Sequence, residues 1–146
     1  MLFRSGVSSW NKKRYFGVYV YFNTYSYQNI HVVTGRSPLN GSANVSRHIG
    51  FKLINANLYG TVADGTTEST LLLETLSADG DRRLECILTP TVECRFYVNG
   101  VDKGAITTNL PIDTTDAEYD LFMASHNTEA ISKTINIYES RTLQLE

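Results

Sequence analysis

The sequence predicts an all-β fold in which two antiparallel sheets stack as a sandwich. β-Branched and aromatic residues, which suit a half-buried pleated surface, make up about a third of the 146 residues. Short runs of alternating apolar and polar residues follow one another between turn sequences. Ten or so strands with no clear helix leave a sandwich or a closed barrel. Large aliphatic side chains on the inner side of many strands favour the sandwich, because stacked sheets bury a dry layer between them.

The first strand is expected over residues 15–22, where two sets of side chains alternate and therefore face opposite sides. The inner set is apolar and consists of Phe16, Val18, Val20 and Phe22. The outer set is rich in tyrosine and consists of Tyr15, Gly17, Tyr19 and Tyr21. This strand is therefore expected to present tyrosine rings on the outer face of the sandwich.

The next strands are expected over residues 30–34, 48–54 and 57–62, with a loop rich in Gly, Ser and Asn over residues 35–46. Residues 69–77 carry leucines that could also line a helix. Asp-Gly turns on both sides leave about nine residues, which is short for a stable helix and ordinary for a strand. A strand is therefore predicted here.

A hairpin is expected from residues 83–88 and 92–98. Pairing the two segments around Pro90 places Cys86 opposite Cys94 on the apolar face and Glu85 opposite Arg95 on the outer face. Facing cysteines could form a disulfide in an oxidising compartment, and otherwise they act as small apolar side chains.

The remaining strands follow a second turn. Asn99-Gly100 is typical of a two-residue type I′ turn, because both residues tolerate positive φ. A strand over residues 101–107 follows, and strands over residues 121–125, 134–138 and 142–145 complete the set.

The net charge and the lengths of the apolar runs limit the classes of partner that the chain is expected to bind. Lys and Arg number 13 against 15 Asp and Glu, so the net charge is -2 and the basic excess typical of nucleic-acid binding is missing. No apolar run approaches the ~20 residues of a membrane-spanning helix, and residues 1–6 lack the apolar segment of a secretory signal. No linker or repeat divides the chain, so residues 1–146 are expected to form a single domain.

Several segments share a pattern with a known superfamily, namely residues 83–90, 92–101, 49–52, 57–60 and 135–139, with Gly104 and residues 107–111. These segments resemble the concanavalin A-like lectin/glucanase superfamily, and within it the laminin-G-like jelly rolls of phage, archaeal-virus and microbial surface proteins. They lie within roughly residues 12–146, and the resemblance implies a jelly-roll sandwich. Because this fold carries lectins, glycosidases, adhesion modules and structural domains alike, it leaves the function open.

The catalytic pattern of the glucanase branch is missing. Glycoside hydrolysis needs a carboxyl pair across the scissile bond, and in that branch the pair lies on one strand as Glu-x-Asp-x-Glu or a near variant. Glu85 and Glu93 come closest to such a pair, and an ion pair with Arg95 explains Glu85 better. We therefore expect no enzyme, and a glucanase is the third alternative.

Metal sites have weak support. His31, His48 and His126 are far apart and show no zinc-ligand spacing. Asp79 and Asp81 flank a glycine, and the laminin-G-like resemblance makes calcium possible there, although Asp-Gly is also an ordinary turn sequence. No other cofactor is expected.

The tyrosines give the best functional indication. Sugars stack their C–H faces on aromatic rings while their hydroxyls bond polar side chains, so a carbohydrate site is predicted at Tyr15, Tyr19, Tyr21, Tyr97 and Arg95. Tyrosine is also favoured at protein interfaces. The leading hypothesis is a non-catalytic, carbohydrate-binding recognition module that serves as a viral or microbial surface component. The alternative is an assembly protein, such as a capsid or tail component, whose tyrosine face contacts a protein partner or a second copy.

Overall fold

The strands account for most of the computed structural model, which describes residues 2–3, 10–23, 28–35, 46–112, 119–127 and 135–145. The predicted loop over residues 35–46 lies largely outside these ranges. The described strands are β1 (Leu2–Phe3), β2 (Lys13–Phe22), β3 (Gln28–Gly35), β4 (His48–Ile54), β5 (Asn57–Ala63), β6 (Glu68–Thr75), β7 (Gly80–Thr89), β8 (Glu93–Val98), β9 (Val101–Ile106), β10 (Tyr119–Asn127) and β11 (Ile135–Leu145).

The strands form two antiparallel sheets. One has six strands in the order β1-β10-β3-β4-β5-β6, and the other has five in the order β11-β2-β7-β8-β9. The predicted all-β, two-sheet antiparallel sandwich is confirmed. Within the described ranges there is no helix long and apolar enough to cross a bilayer.

The core lies between the sheets and is built from their inward side chains. On β2 the predicted inner set is buried, with Phe16 and Val20 fully inaccessible. Phe51 of β4 packs against Phe16 of β2 at 6.3 Å between ring centroids, and against Phe96 of β8 edge-on at 5.8 Å. Each such aromatic pair contributes about 0.5–1.5 kcal/mol beyond the area that it buries. These three rings therefore join the two sheets at their centre.

The segment with a helical alternative is a strand, as predicted. Among the described strands β6 lies at the edge of its sheet and pairs with β5 alone, and its leucines divide between the two faces. Leu73 is buried, whereas Leu72 is half exposed. The turn before β6 is held by Asp64, whose Oδ1 accepts the backbone N–H groups of Thr66 at 2.8 Å and Thr67 at 2.9 Å.

The predicted pairing of β7 with β8 is wrong by two residues. Cys86 lies opposite Phe96, and Cys94 lies opposite Leu88. The turn causes the slip: the N–H of Val92 donates to the carbonyl of Thr89, which places Val92 in the loop instead of in the strand. A slip of two residues leaves every side chain on its predicted face, because the strand repeat is two. Both cysteines are free thiols in the core.

The predicted pair of Glu85 with Arg95 is also wrong, for the same reason. Glu85 lies opposite Tyr97, and Arg95 lies opposite Ile87. Arg95 instead forms ion pairs at 2.9 Å with Glu93 on its own strand and with Asp102 on β9.

The predicted type I′ turn is present, whereas the final strands differ from the prediction. Asn99 and Gly100 both have positive φ, 50° and 78°, as that turn requires. The two short strands predicted at 134–138 and 142–145 are one strand, β11, whose pairing with β2 is interrupted by an irregularity between Ile137 and Glu139. Residue 134 itself lies outside the described ranges.

Candidate functional site

A hollow of about 660 Å³ opens on the outer face of the five-stranded sheet. It lies over β2, with β7 on one side and β11 on the other. The residues that line it are Tyr15, Gly17, Val18, Tyr19, Arg83, Glu85, Glu139, Arg141, Leu143 and Leu145.

Gly17 lies in the floor of the hollow, where its missing side chain leaves room for the ring of Tyr15. Alternation along β2 places Gly17 between Tyr15 and Tyr19 on the same face. The Tyr15 ring lies over Gly17, since a Cβ atom built on Gly17 would overlap the Tyr15 hydroxyl and lie 2.7 Å from its Cζ. That hydroxyl donates a 2.8 Å hydrogen bond to Oε2 of Glu85 on β7. Burial, and then this hydrogen bond, raise the pKa of Tyr15 above its ordinary value.

The opposite end of the hollow is formed by Tyr19, which belongs to a pair of tyrosine rings. Tyr19 contacts Tyr138 of β11, with ring centroids 5.3 Å apart and planes tilted by 42°. Tyr138 is the residue skipped by the irregular pairing of β11, between Ile137 and Glu139. Partial burial, and then the Asp81 carboxylate, raise the pKa of the Tyr19 hydroxyl. Because Tyr19 is 40% exposed and Tyr138 is 59% exposed, both offer ring surface to a ligand.

Charged residues form the two sides. On β7, Nε of Arg83 lies 3.0 Å from Oε1 of Glu85, and on β11, Nε of Arg141 pairs with Oε1 of Glu139. The Glu85 carboxylate is the main cause of a raised pKa at Arg83. Each side of the hollow therefore carries one cation and one anion.

The five residues predicted from the sequence as a carbohydrate site do not all come together. Tyr15 and Tyr19 line the hollow. Tyr21 lies opposite Asp81 near one end of β2, and Tyr97 lies opposite Glu85 on the next strand over. Arg95 is held by its two ion pairs on β8 and β9. All five are on the predicted outer face, but only two contribute to this cavity.

The two carboxylates singled out for hydrolysis are poorly placed for it. Glu93 lies opposite Thr89, four residues along β7 from Glu85. Four residues of strand span roughly 13 Å, whereas the two carboxyls of a glycosidase are ~5–9.5 Å apart.

The weak calcium candidates show no cluster of ligands. Asp79 precedes β7, and Asp81 lies within it, opposite Tyr21. Among the described residues, no group of three or more His, Cys, Asp and Glu side chains is arranged to hold a metal ion.

The position of Gly17 in the floor of the hollow was not predicted from the sequence. The side chains that form the β11 wall of the hollow were not predicted either, and these are Glu139, Arg141, Leu143 and Leu145. Period-two alternation along β2 placed Gly17 among the outward-facing residues, and this was the one sequence signal for its position in the hollow. The wall depends on the pairing of β11 with β2, in which Leu143 lies opposite Tyr15 and Arg141 opposite Gly17. Nothing in the local pattern specifies which distant strands pair.

A buried polar chain occurs on the six-stranded sheet and was also missed. Nε2 of His48 lies 2.9 Å from the Thr61 hydroxyl, which donates to Oε1 of Glu68 at 2.7 Å. The other carboxylate oxygen of Glu68 accepts a 2.8 Å hydrogen bond from Lys52. Nδ1 of His48 lies 2.6 Å from the carbonyl of Ser46. Burial lowers the pKa of His48 to about 4.

The comparisons with known proteins identify similar structures and no family. Neither a protein-family model nor a curated protein matches the sequence. The binding domain of botulinum neurotoxin serotype G aligns with a TM-score of 0.61 at 10% identity, covering 100% of this chain and 36% of its own. A second similar structure is from botulinum neurotoxin type C, whose cell entry depends on interaction with two ganglioside molecules. It aligns with a TM-score of 0.61 at 11% identity over 94% of this chain and 34% of its own.

Sheep galectin-11, in complex with glycerol, is similar over its whole length. It has a TM-score of 0.59 and 14% identity, and the alignment covers 98% of this chain and 99% of that one. The present chain spans about a third of the neurotoxin domains and nearly all of the galectin chain. At these identities the likeness establishes a shared β-sandwich fold.

Proposed function

We propose that this protein is a non-catalytic recognition module that binds carbohydrate in the hollow over β2. The observation that carries the proposal is the arrangement of tyrosine rings at both ends of a cavity whose sides bear hydrogen-bonding charged groups. Rings supply apolar surface for the C–H face of a sugar, and carboxylate and guanidinium groups supply acceptors and donors for its hydroxyls. The similar structures include a ganglioside-dependent neurotoxin and a galectin, which supports the same reading.

Recognition accounts for the charged groups better than hydrolysis does. Glu85 accepts hydrogen bonds from Tyr15 and pairs with Arg83, and Glu139 pairs with Arg141. Each carboxylate is thus already held by a guanidinium partner as a hydrogen-bond acceptor. We infer that both carboxylates serve as hydrogen-bond acceptors for a ligand. A place on a virion or microbial surface stays a prediction.

The test is saccharide binding by wild-type protein, screened on a glycan array and measured by calorimetry for each hit. Tyr19→Ala removes a partly exposed ring from the hollow and is expected to weaken binding about tenfold, equivalent to ~1.4 kcal/mol. Tyr97→Ala is the matched control, because Tyr97 lies on the same sheet face outside the hollow. An array without hits would refute the proposal. Equal losses of affinity in the two variants would mean that the sugar does not bind in the hollow.

A second candidate function is an interface with a protein partner or another copy of the chain. It is favoured by the exposure of Tyr19, Tyr138 and Leu143, of which Tyr19 and Leu143 line the hollow. Sedimentation equilibrium over a range of protein concentrations tests self-association. Concentration-dependent dimers that Tyr19→Ala dissociates would favour this function, and a monomer at every concentration would exclude the second copy.

A further inference from the structure

The charges around the hollow alternate in sign. The register places Arg141 and Glu85 on either side of Gly17 in one row across the sheet. In the adjacent row, Glu139 and Arg83 lie on either side of Tyr19. The two arginines therefore occupy one diagonal of a four-charge square, and the two glutamates occupy the other diagonal. The square has no net charge.

This arrangement gives little attraction to a charged ligand at its centre. The field of each cation there is opposed by an anion at a similar distance, and each arginine already has a carboxylate partner. An acidic group entering the square would have to displace a carboxylate or lie beside it. Like charges in such proximity repel, so net charge on the ligand is a disadvantage.

The same arrangement suits hydroxyl groups. Each ion pair is made through the Nε atom of its arginine, and a guanidinium carries four further N–H donors. A carboxylate offers about four acceptor positions, of which Glu85 uses one for Tyr15 and one for Arg83. A sugar hydroxyl both donates and accepts, so alternating donors and acceptors fit a polyol around its edge.

We propose that the hollow selects uncharged saccharides over acidic ones because its four charged residues, Arg83, Glu85, Glu139 and Arg141, form a net-neutral alternating square. This inference rests on the proposed carbohydrate-binding function and specifies the class of sugar. The tyrosine rings at the two ends contribute stacking surface, and the square discriminates by charge.

The experiment compares neutral oligosaccharides with their sialylated counterparts by glycan array and calorimetry. We expect the neutral sugar to bind at least about tenfold more tightly than the acidic one, a difference of ~1.4 kcal/mol. We also expect the affinity for the neutral sugar to change less than about twofold between roughly 0.02 M and 0.5 M NaCl, because an uncharged ligand has no net Coulomb attraction for salt to screen.

A single substitution should change this preference. Glu139→Gln keeps the size of an exposed side chain while leaving Arg141 without its anion, so the acidic-to-neutral affinity ratio should rise about tenfold. Glu93→Gln is the matched control, because Glu93 and Arg95 form the same kind of pair on β8 outside the hollow. The control should leave the ratio unchanged.

The outcomes separate the two proposals. A wild-type protein that binds acidic sugars more tightly than neutral ones would overturn this inference and leave carbohydrate binding intact. A ratio that does not respond to Glu139→Gln would overturn it as well, because the square would then not set the preference. If neither class binds, the proposed function fails and the inference fails with it.

Discussion

The ring of Tyr15 lies directly over Gly17, two residues further along the same strand, and the missing side chain is what allows this position. A Cβ atom built on Gly17 would overlap the Tyr15 hydroxyl, which is bonded to Glu85 at 2.8 Å. The shape of the hollow thus depends on one glycine and one ring in contact.

Gly17→Ala should therefore change ligand binding more than it changes stability. The end of the Tyr15 side chain can swing away, but it then loses its hydrogen bond to Glu85 and closes part of the hollow. We expect about tenfold weaker saccharide binding by calorimetry, with an unchanged far-ultraviolet dichroism spectrum. Gly80→Ala is the control, because its added Cβ would lie 3.2 Å from the flexible end of Arg82, away from the hollow. Equal affinities for the two variants would contradict the role given to Gly17.

The turn after β8 is held by Asn99 in two ways that substitutions can separate. Its φ is 50°, and its Oδ1 accepts the backbone N–H of Arg83 at 2.9 Å. Asn99→Ala loses both features and should cost about 2 kcal/mol, whereas Asn99→Gly keeps the φ preference and should cost about 1 kcal/mol. Urea unfolding measures both variants, and a glycine variant as unstable as the alanine variant would contradict this division.

Gly60 is a packing position on the inner face of β5. A Cβ atom built there would lie 2.6–2.7 Å from ring carbons of Phe96. Gly60→Ala should destabilise the protein by about 1–3 kcal/mol, the usual cost of overpacking. The test is a double-mutant cycle with Phe96→Leu, in which a smaller, more flexible neighbour should reduce the cost of the alanine. Additive effects would show that the ring is not the obstacle.

The buried His48 should make stability depend on pH. Its pKa is lowered to about 4 in the folded protein, mainly by burial, and is about 6.5 in an unfolded chain. Below pH 6.5 the unfolded chain therefore binds a proton that the folded protein does not bind until about pH 4. Stability from this group is complete above pH 6.5 and falls by about 3 kcal/mol as the pH drops to about 4.

The groups facing His48 act in both directions on its pKa. The Ser46 carbonyl and Glu68 raise the pKa, while His31 and Lys52 lower it. His48→Gln removes the titration, so urea unfolding at about pH 7 and about pH 4.5 should give a smaller loss of stability than in the wild type. The same loss in both proteins would mean that other groups carry the pH dependence.

The two cysteines should be unreactive in the folded protein. Cys86 and Cys94 are free and buried, and burial, followed by the hydrogen bond with Cys86, raises the pKa of the Cys94 thiol. A thiol reagent at about pH 8 should modify neither residue until denaturant is added, and should then modify both. Fast labelling of the native protein would contradict the core position of these side chains.

Local alternation predicted the faces of the strands and left their pairing open. On β2, β7 and β8 the apolar residues recur every second position, which assigned Phe16, Leu84 and Phe96 correctly to the core. The alternation could not determine the register of β7 against β8, because a slip of two residues keeps every side chain on the same face of the sheet. A hydrogen bond within the turn, from Val92 to Thr89, decides it.

Strand order limited the prediction of the site in the same way. Tyr97 and Arg95 were placed on the correct face, but the hollow lies between β7 and β11, two strands far apart in sequence. The polar chain from His48 to Glu68 crosses β4, β5 and β6, so its members become neighbours only after those strands have paired.

The wall supplied by β11 has a consequence for folding. β2 has β7 and β11 as its neighbours, and each contact closes a long stretch of intervening chain. Such distant pairings form slowly, because loop-closure entropy must be overcome first. A half-folded molecule with β2 and β7 joined would have a floor and one side, yet no cleft. Ligand capture would then report that the whole polypeptide has reached its native topology, which spectroscopic measures of strand content cannot do.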